Sequence, residues 1–159
     1  MKMTEAYTVR IGTGLAERIR QHGVETYPHE CCGALFGCDE NRSDRAAATR
    51  EILDLFPLIN RRDDSPQNRF SVTPRDVIEA ERAAQARGLA IVGWYHSHPD
   101  HPAKPSQYDR EHAWPWYSYI IVRVQERVAQ EMTSWRLRDD REGYTEEILE
   151  IQREAAAEP

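Results

Sequence analysis

Residues 93–99 read Gly93-Trp94-Tyr95-His96-Ser97-His98-Pro99, and Ser106-Gln107-Tyr108-Asp109 follows a short distance on. The near-continuous apolar content of residues 89–95 marks a central, buried strand. Side chains at i and i+2 of a strand share a face, so His96 and His98 project together and Ser97 points the other way. Ser106 and Asp109 stand at i and i+3, on one face of a short helix. The stretch therefore reads as a strand end presenting two imidazoles, a loop stiffened by Pro102 and Pro105, and a helix presenting a carboxylate. Two imidazoles and a carboxylate suit a zinc ion with a fourth position left for water. Zinc brings the pKa of such water from about 15.7 to roughly 7.

A hydrolytic centre also needs a proton acceptor, and Glu30 is the candidate. It stands at the entrance to the apolar run 31–37, a costly place for a carboxylate without a partner. Ser106 offers a hydroxyl to a developing oxyanion. Each residue also has a plainer reading. His-x-His is common on strands, Ser-x-x-Asp is a helix capping box, and Glu30 alone could be a solvated strand-end carboxylate. His101 and His112 are expected near the site but not as ligands, and His29 on the face opposite Glu30. Cys31 and Cys32 read as small packing residues. Trp114, Trp116, Tyr117 and Tyr119 form an aromatic cluster whose default role is packing, with a substrate-facing wall as the alternative.

Outward from this stretch, residues 7–11 alternate as a first strand, and Thr13 is a candidate cap for a helix carrying Leu15, Ile19 and His22. Residues 31–37 and 46–57 pair as strands across a polar loop at 39–45. The polar stretch 60–69 has no periodicity, and its Arg61, Arg62 and Arg69 are candidates to meet an acidic partner. Residues 70–72 suggest a brief strand. Thr73-Pro74-Arg75-Asp76 is a strong helix start, and Gly88 is the stop. Residues 117–124 and 131–137 are further strands, whereas 144–151 could be an edge strand or a short helix. The sum is a single α/β (α+β) domain over residues 1–152, with 153–159 as a frayed tail.

The chain has 159 residues, a net charge of −6, and 30% charged and 40% hydrophobic residues. That balance fits a folded domain and argues against a generic nucleic-acid binder. No apolar run is long enough to cross a bilayer. The first residues lack the apolar core of a secretory signal, and the three cysteines are clustered rather than laid out as a disulfide framework. A cytoplasmic setting, with no membrane and no nucleic acid, is the expectation.

The spacing His96-Ser97-His98-Pro99, seven residues from His98 to Ser106, and Asp109 three further on resembles the His-x-His-x7-Ser-x-x-Asp signature of the JAMM (MPN+) metalloproteases. Pro28-His29-Glu30-Cys31-Cys32-Gly33-Ala34-Leu35-Phe36-Gly37 is similar to a second stretch of their compact prokaryotic branch. The resemblance implies a curved mixed β-sheet flanked by helices and one Zn2+ per chain. It implies His96, His98 and Asp109 as ligands, Glu30 as general base and Ser106 as oxyanion support. It further implies cleavage of a peptide or isopeptide bond after the C-terminal Gly-Gly of a small ubiquitin-like (ThiS/MoaD-like) sulfur-carrier protein. Such a tail could pair with a sheet edge. A homodimer is allowed for. Cell-wall or phage-tail peptide hydrolysis and an inactive MPN-type binding module are the alternatives.

Overall fold

A computed structural model describes residues 7–39, 48–60 and 72–153. In chain order these form β1 (Tyr7–Gly12), α1 (Thr13–Thr26), β2 (Cys32–Asp39), β3 (Ala48–Leu58), α2 (Pro74–Ala86), β4 (Ala90–Pro99), α3 (Gln107–His112), β5 (Ser118–Gln125), β6 (Val128–Leu137) and β7 (Tyr144–Gln152). The strands lie in the order β1-β3-β2-β4-β5-β6-β7, and β7 pairs again with β1 to close a barrel. Three pairings are parallel, β1 with β3, β1 with β7 and β4 with β5, and the rest antiparallel. The expected curved mixed sheet is thus curved to the point of closure.

Alternation within the strands sorts side chains to two faces. Val9, Leu35, Ile52, Tyr95, Ile120 and Val122 point inward and share one core with Ala16 and Ile19 of α1. α1 touches β1 and every strand from β3 to β7, so the sheet curls around it. On the outer face Ala34, Phe36 and Ile91 pack against Ala80 and Ala84 of α2. Two glycines allow the backbones to approach. A Cβ on Gly93 would stand 2.1 Å from the Ser118 carbonyl oxygen, and one on Gly33 would stand 2.2 Å from the Tyr95 ring. Strand β4 is therefore pinned on both sides in one register, Cys32 opposite His96 and Tyr95 opposite Ile120.

The helix termini follow local chemistry in two cases of three. Thr73 caps α2 in a full capping box with Asp76, and Gly88, at φ 68°, lies just past its end. Ser106 and Asp109 form the same box at α3. At α1 the expectation fails: Thr13 is the first helical residue, and Gly12, with no side chain to offer, occupies the cap position. Residues 144–151 resolve as a strand, and an interior one, because β7 is flanked by both β6 and β1. Val72 lies outside any strand. Residues 70–71, the polar loops at 40–47 and 61–69, the first six residues and the tail 154–159 lie outside the described residues. None of the described helices is long and apolar enough to cross a membrane.

Candidate metal centre

β4 runs past the end of its neighbour β2; His96 stands at the last paired position, opposite Cys32, and His98 on the overhang, both on the outer face with Trp94. Both are 1% exposed. Their Nε2 atoms stand 3.1 Å apart. Asp109, the third residue of α3, brings Oδ2 to 3.3 Å from His96 Nε2 and 3.1 Å from His98 Nε2. Ligands about 2.0–2.1 Å from zinc stand roughly 3.3–3.4 Å apart along a tetrahedron's edge. The three donor atoms already form such a triangle, so the residues present fit the metal.

The donors are also oriented. His98 Nδ1–H donates to the Pro102 carbonyl at 2.7 Å, which leaves the Nε2 lone pair facing the triangle. His101 stacks on the His98 ring with centroids 4.1 Å apart. Asp109 Oδ2 accepts from the Ser106 backbone N–H at 2.9 Å. Burial works against ionisation of Asp109, but the charges and hydrogen bonds of His96 and His98 outweigh it and hold the carboxyl well below its ordinary range.

Glu30 lies two residues before the first residue of β2 and is 1% exposed. Its carboxylate forms a group with His96 and His98 whose ligand atoms are within 4.8 Å of one another. Three hydrogen bonds fix its backbone beside β4. Cys31 N–H donates to Ser97 Oγ at 2.8 Å, Ser97 N–H to the Cys31 carbonyl at 3.2 Å, and Asn60 Nδ2 to the Glu30 carbonyl at 3.1 Å. Burial first, and the Asp109 charge second, push the Glu30 carboxyl up to about 9. Its Oε2 has no hydrogen-bond partner among the described residues. A buried carboxylate left this way is a site completed by a cation or a water, and a bound cation would reverse the shift.

Ser106 takes up the plainer role weighed from its spacing. Its Oγ accepts from Asp109 N–H at 3.0 Å, so the residue caps α3 and sets the ligand carboxylate in place. That bond uses the oxygen as acceptor and leaves the hydroxyl proton for another partner. His29 and His112 are exposed, and His112 stacks on Tyr108. Cys31 and Cys32 are buried, and burial pushes the Cys31 thiol up to about 12, which suits packing rather than nucleophilic chemistry. Of the loop 60–69 only Asn60 is described.

Beside His96 and Asp109 opens a cleft of about 340 Å³ whose walls include Val77, Trp94, Tyr108, Tyr117 and Tyr119. Trp116 and Ser118, next in sequence to its wall residue Tyr117, are both bonded by Arg50, a residue with no signal in the sequence. Arg50 is 1% exposed and donates to the carbonyls of Val92 (2.9 Å) and Trp116 (2.7 Å) and to Ser118 Oγ (3.0 Å).

Comparison with known proteins places these features in context. The model of a family described as prokaryotic homologs of the JAB domain matches residues 13–138. A desampylase from Haloferax volcanii is 33% identical over 70% of the chain and 76% of its own length. A probable TtuB-protein conjugate cleaving protease from Thermus thermophilus is 32% identical over 68% of the chain and 65% of its own. A BRCC36-like deubiquitinase from Mus musculus is 32% identical over 65% of the chain, which spans 40% of that protein. Solution structures of proteins from Desulfitobacterium hafniense (TM-score 0.72, 29% identity, 93% of this chain and 94% of that one) and Salinibacter ruber (TM-score 0.67, 36% identity, 94% and 95%) share the fold.

Proposed function

The chain belongs to the family of prokaryotic JAB-domain homologues, JAMM-type hydrolases, and on that premise we propose that it is a zinc metallopeptidase. Its substrate is the tail of a small ubiquitin-like sulfur-carrier protein, cut after Gly-Gly to release an amino acid or peptide. The observation that carries the chemistry is the triangle of His96 Nε2, His98 Nε2 and Asp109 Oδ2, with edges of 3.1–3.3 Å. Support for the substrate class comes from the relatives, one named for cleaving TtuB-protein conjugates and one as a deubiquitinase.

Zinc, when bound, would be held by those three atoms and would supply Lewis acidity and a water acidified toward neutral pH. Glu30 takes a proton from the attacking water and returns it to the departing amine, so the amine leaves neutral and the new carboxyl group keeps the water's oxygen and its second proton, which it then releases to solvent. The Ser106 hydroxyl donates its remaining proton to the oxyanion that forms on the scissile carbonyl. The buried position of Glu30 keeps competing water away from that transfer.

The test is incubation of the zinc-loaded protein with a ubiquitin-like carrier extended by a few residues beyond Gly-Gly, read by intact mass. Loss of the extension at the glycine, blocked by a chelator, is the expected result. An intact carrier panel together with cleavage of cell-wall peptides would transfer the activity to that substrate class. Zinc bound without cleavage of either would leave a binding module.

A further inference from the structure

The aromatic cleft accounts for nothing in the chemistry just derived, yet it shares His96 and Asp109 with the metal centre. Glu30 and His98 do not line it among the described residues. In the proposed mechanism Glu30 must hand a proton to the departing amine, so the amine half of the substrate lies on the Glu30 side. The acyl half therefore leaves in the other direction, over His96 and Asp109 and into the cleft. Two glycines carry no side chain and span about 7 Å of extended backbone. The first side chain able to reach the cleft is that of the third residue before the scissile bond.

Resting on the reading given under Proposed function, we propose that the cleft is a specificity subsite for a large apolar side chain at that third position. A passage for Gly-Gly alone needs only a narrow slot, whereas 340 Å³ holds a leucine or phenylalanine side chain with room for its backbone. The walls are aromatic and aliphatic: Trp94 meets Tyr117 edge to face at 6.1 Å, and Val77 approaches from the start of α2. A charged side chain there would give up its water against walls that are mostly aromatic and aliphatic.

The walls are also held rigid. Trp116 adopts φ 84°, a conformation that costs a non-glycine residue. Arg50 stabilises it twice, donating to the Trp116 carbonyl at 2.7 Å and lying 4.4 Å from the centroid of its indole. Tyr117 follows directly and forms the cleft wall, so the shape of the subsite is set before a substrate arrives.

The experiment uses the zinc-loaded protein and one ubiquitin-like carrier ending X-Gly-Gly plus a short extension, with X as Leu, Phe, Ala or Asp. Cleavage by intact mass is paired with binding of the product tails, followed by tryptophan fluorescence. The Leu and Phe carriers are expected to exceed Ala by at least about tenfold in kcat/KM, mainly through KM, with Asp weaker still. Product tails should bind in the same order, and Val77→Asp should flatten both series. Equal rates and equal binding across X would overturn the subsite and leave the proposed function standing. If none of the four carriers is cut although zinc is bound, the proposed function falls and the subsite with it.

Discussion

Ser97 Oγ accepts the backbone N–H of Cys31 at 2.8 Å, across 66 positions of sequence. Ser97 points inward between His96 and His98, so one hydroxyl joins the strand bearing the imidazoles to the residue after Glu30. Ser97→Ala leaves the Cys31 N–H buried without this acceptor, at a cost of about 1–3 kcal/mol. Activity is expected to fall further than stability does, because Glu30 loses its fixed distance from the metal ligands. Urea unfolding compared with kcat would separate the two effects.

Glu30→Gln is nearly isosteric and leaves the ligand triangle alone. The variant should keep about one zinc ion per chain and lose roughly 10²–10⁴ in turnover. Metal content by elemental analysis and single-turnover cleavage are the two readouts. Retained turnover would remove Glu30 from the mechanism.

Ser106 and Asp109 cap the same helix but differ in what else they touch. Ser106→Ala should cost about 0.5–2 kcal/mol of stability through the lost cap and retain zinc. Asp109→Ala should lose zinc as well as the cap. If the Ser106 hydroxyl acts only as a cap, kcat will follow the stability loss and go no lower.

His22 gives a pH dependence away from the metal. Its Nδ1 lies 2.8 Å from the Tyr95 hydroxyl, and burial lowers its pKa despite the raising effect of Glu25. The unfolded chain, with the ordinary value near 6.5, therefore takes up a proton before the folded protein does. Stability from this group is present above pH 6.5 and falls as pH drops toward the lowered folded value. The stability difference between wild type and His22→Gln should shrink between pH 7.5 and 5.5. Urea titrations at both pH values check it.

Arg50→Met removes a buried cation bonded to two carbonyls and a hydroxyl. A destabilisation above about 2 kcal/mol is expected. Where the variant remains folded at low temperature, KM for the carrier should rise more than kcat falls, since Arg50 supports a wall and touches no reacting atom.

The parts legible in the sequence were those set by near neighbours. The i, i+2 spacing of His96 and His98 fixes their common face, and Thr73-Pro74-Arg75-Asp76 carries its own cap. The convergence of Asp109 on both imidazoles was implied by the resemblance to the JAMM signature rather than by local spacing alone, and the structure brings the three together. What stayed hidden depends on long-range register. Asn60 reaches the Glu30 carbonyl only because β3 lies beside β2. Arg50 looks like any strand arginine until β3 sets it under Trp116. The segment 144–151 could not be told from a helix, because its strand state is decided by partners on both sides. The same closure leaves β7 and the paired length of β1 without a free edge, so a tail entering by strand addition would have to find its edge elsewhere.

The pairing of β1 with β7 ties Thr8 to Ile148 and Ile11 to Ile151, with Arg10 bridging Glu51 on one side and Glu150 on the other. The candidate donor atoms and Glu30 all come from residues 30–109, but the seam that seals the barrel waits for the last strand. During synthesis the first strand must stay half-paired until nearly the whole domain has left the ribosome. Contacts this distant in sequence make for slow folding. The chelating segment can gather early, while the nascent sheet keeps an open flank that chaperones or neighbouring chains could reach.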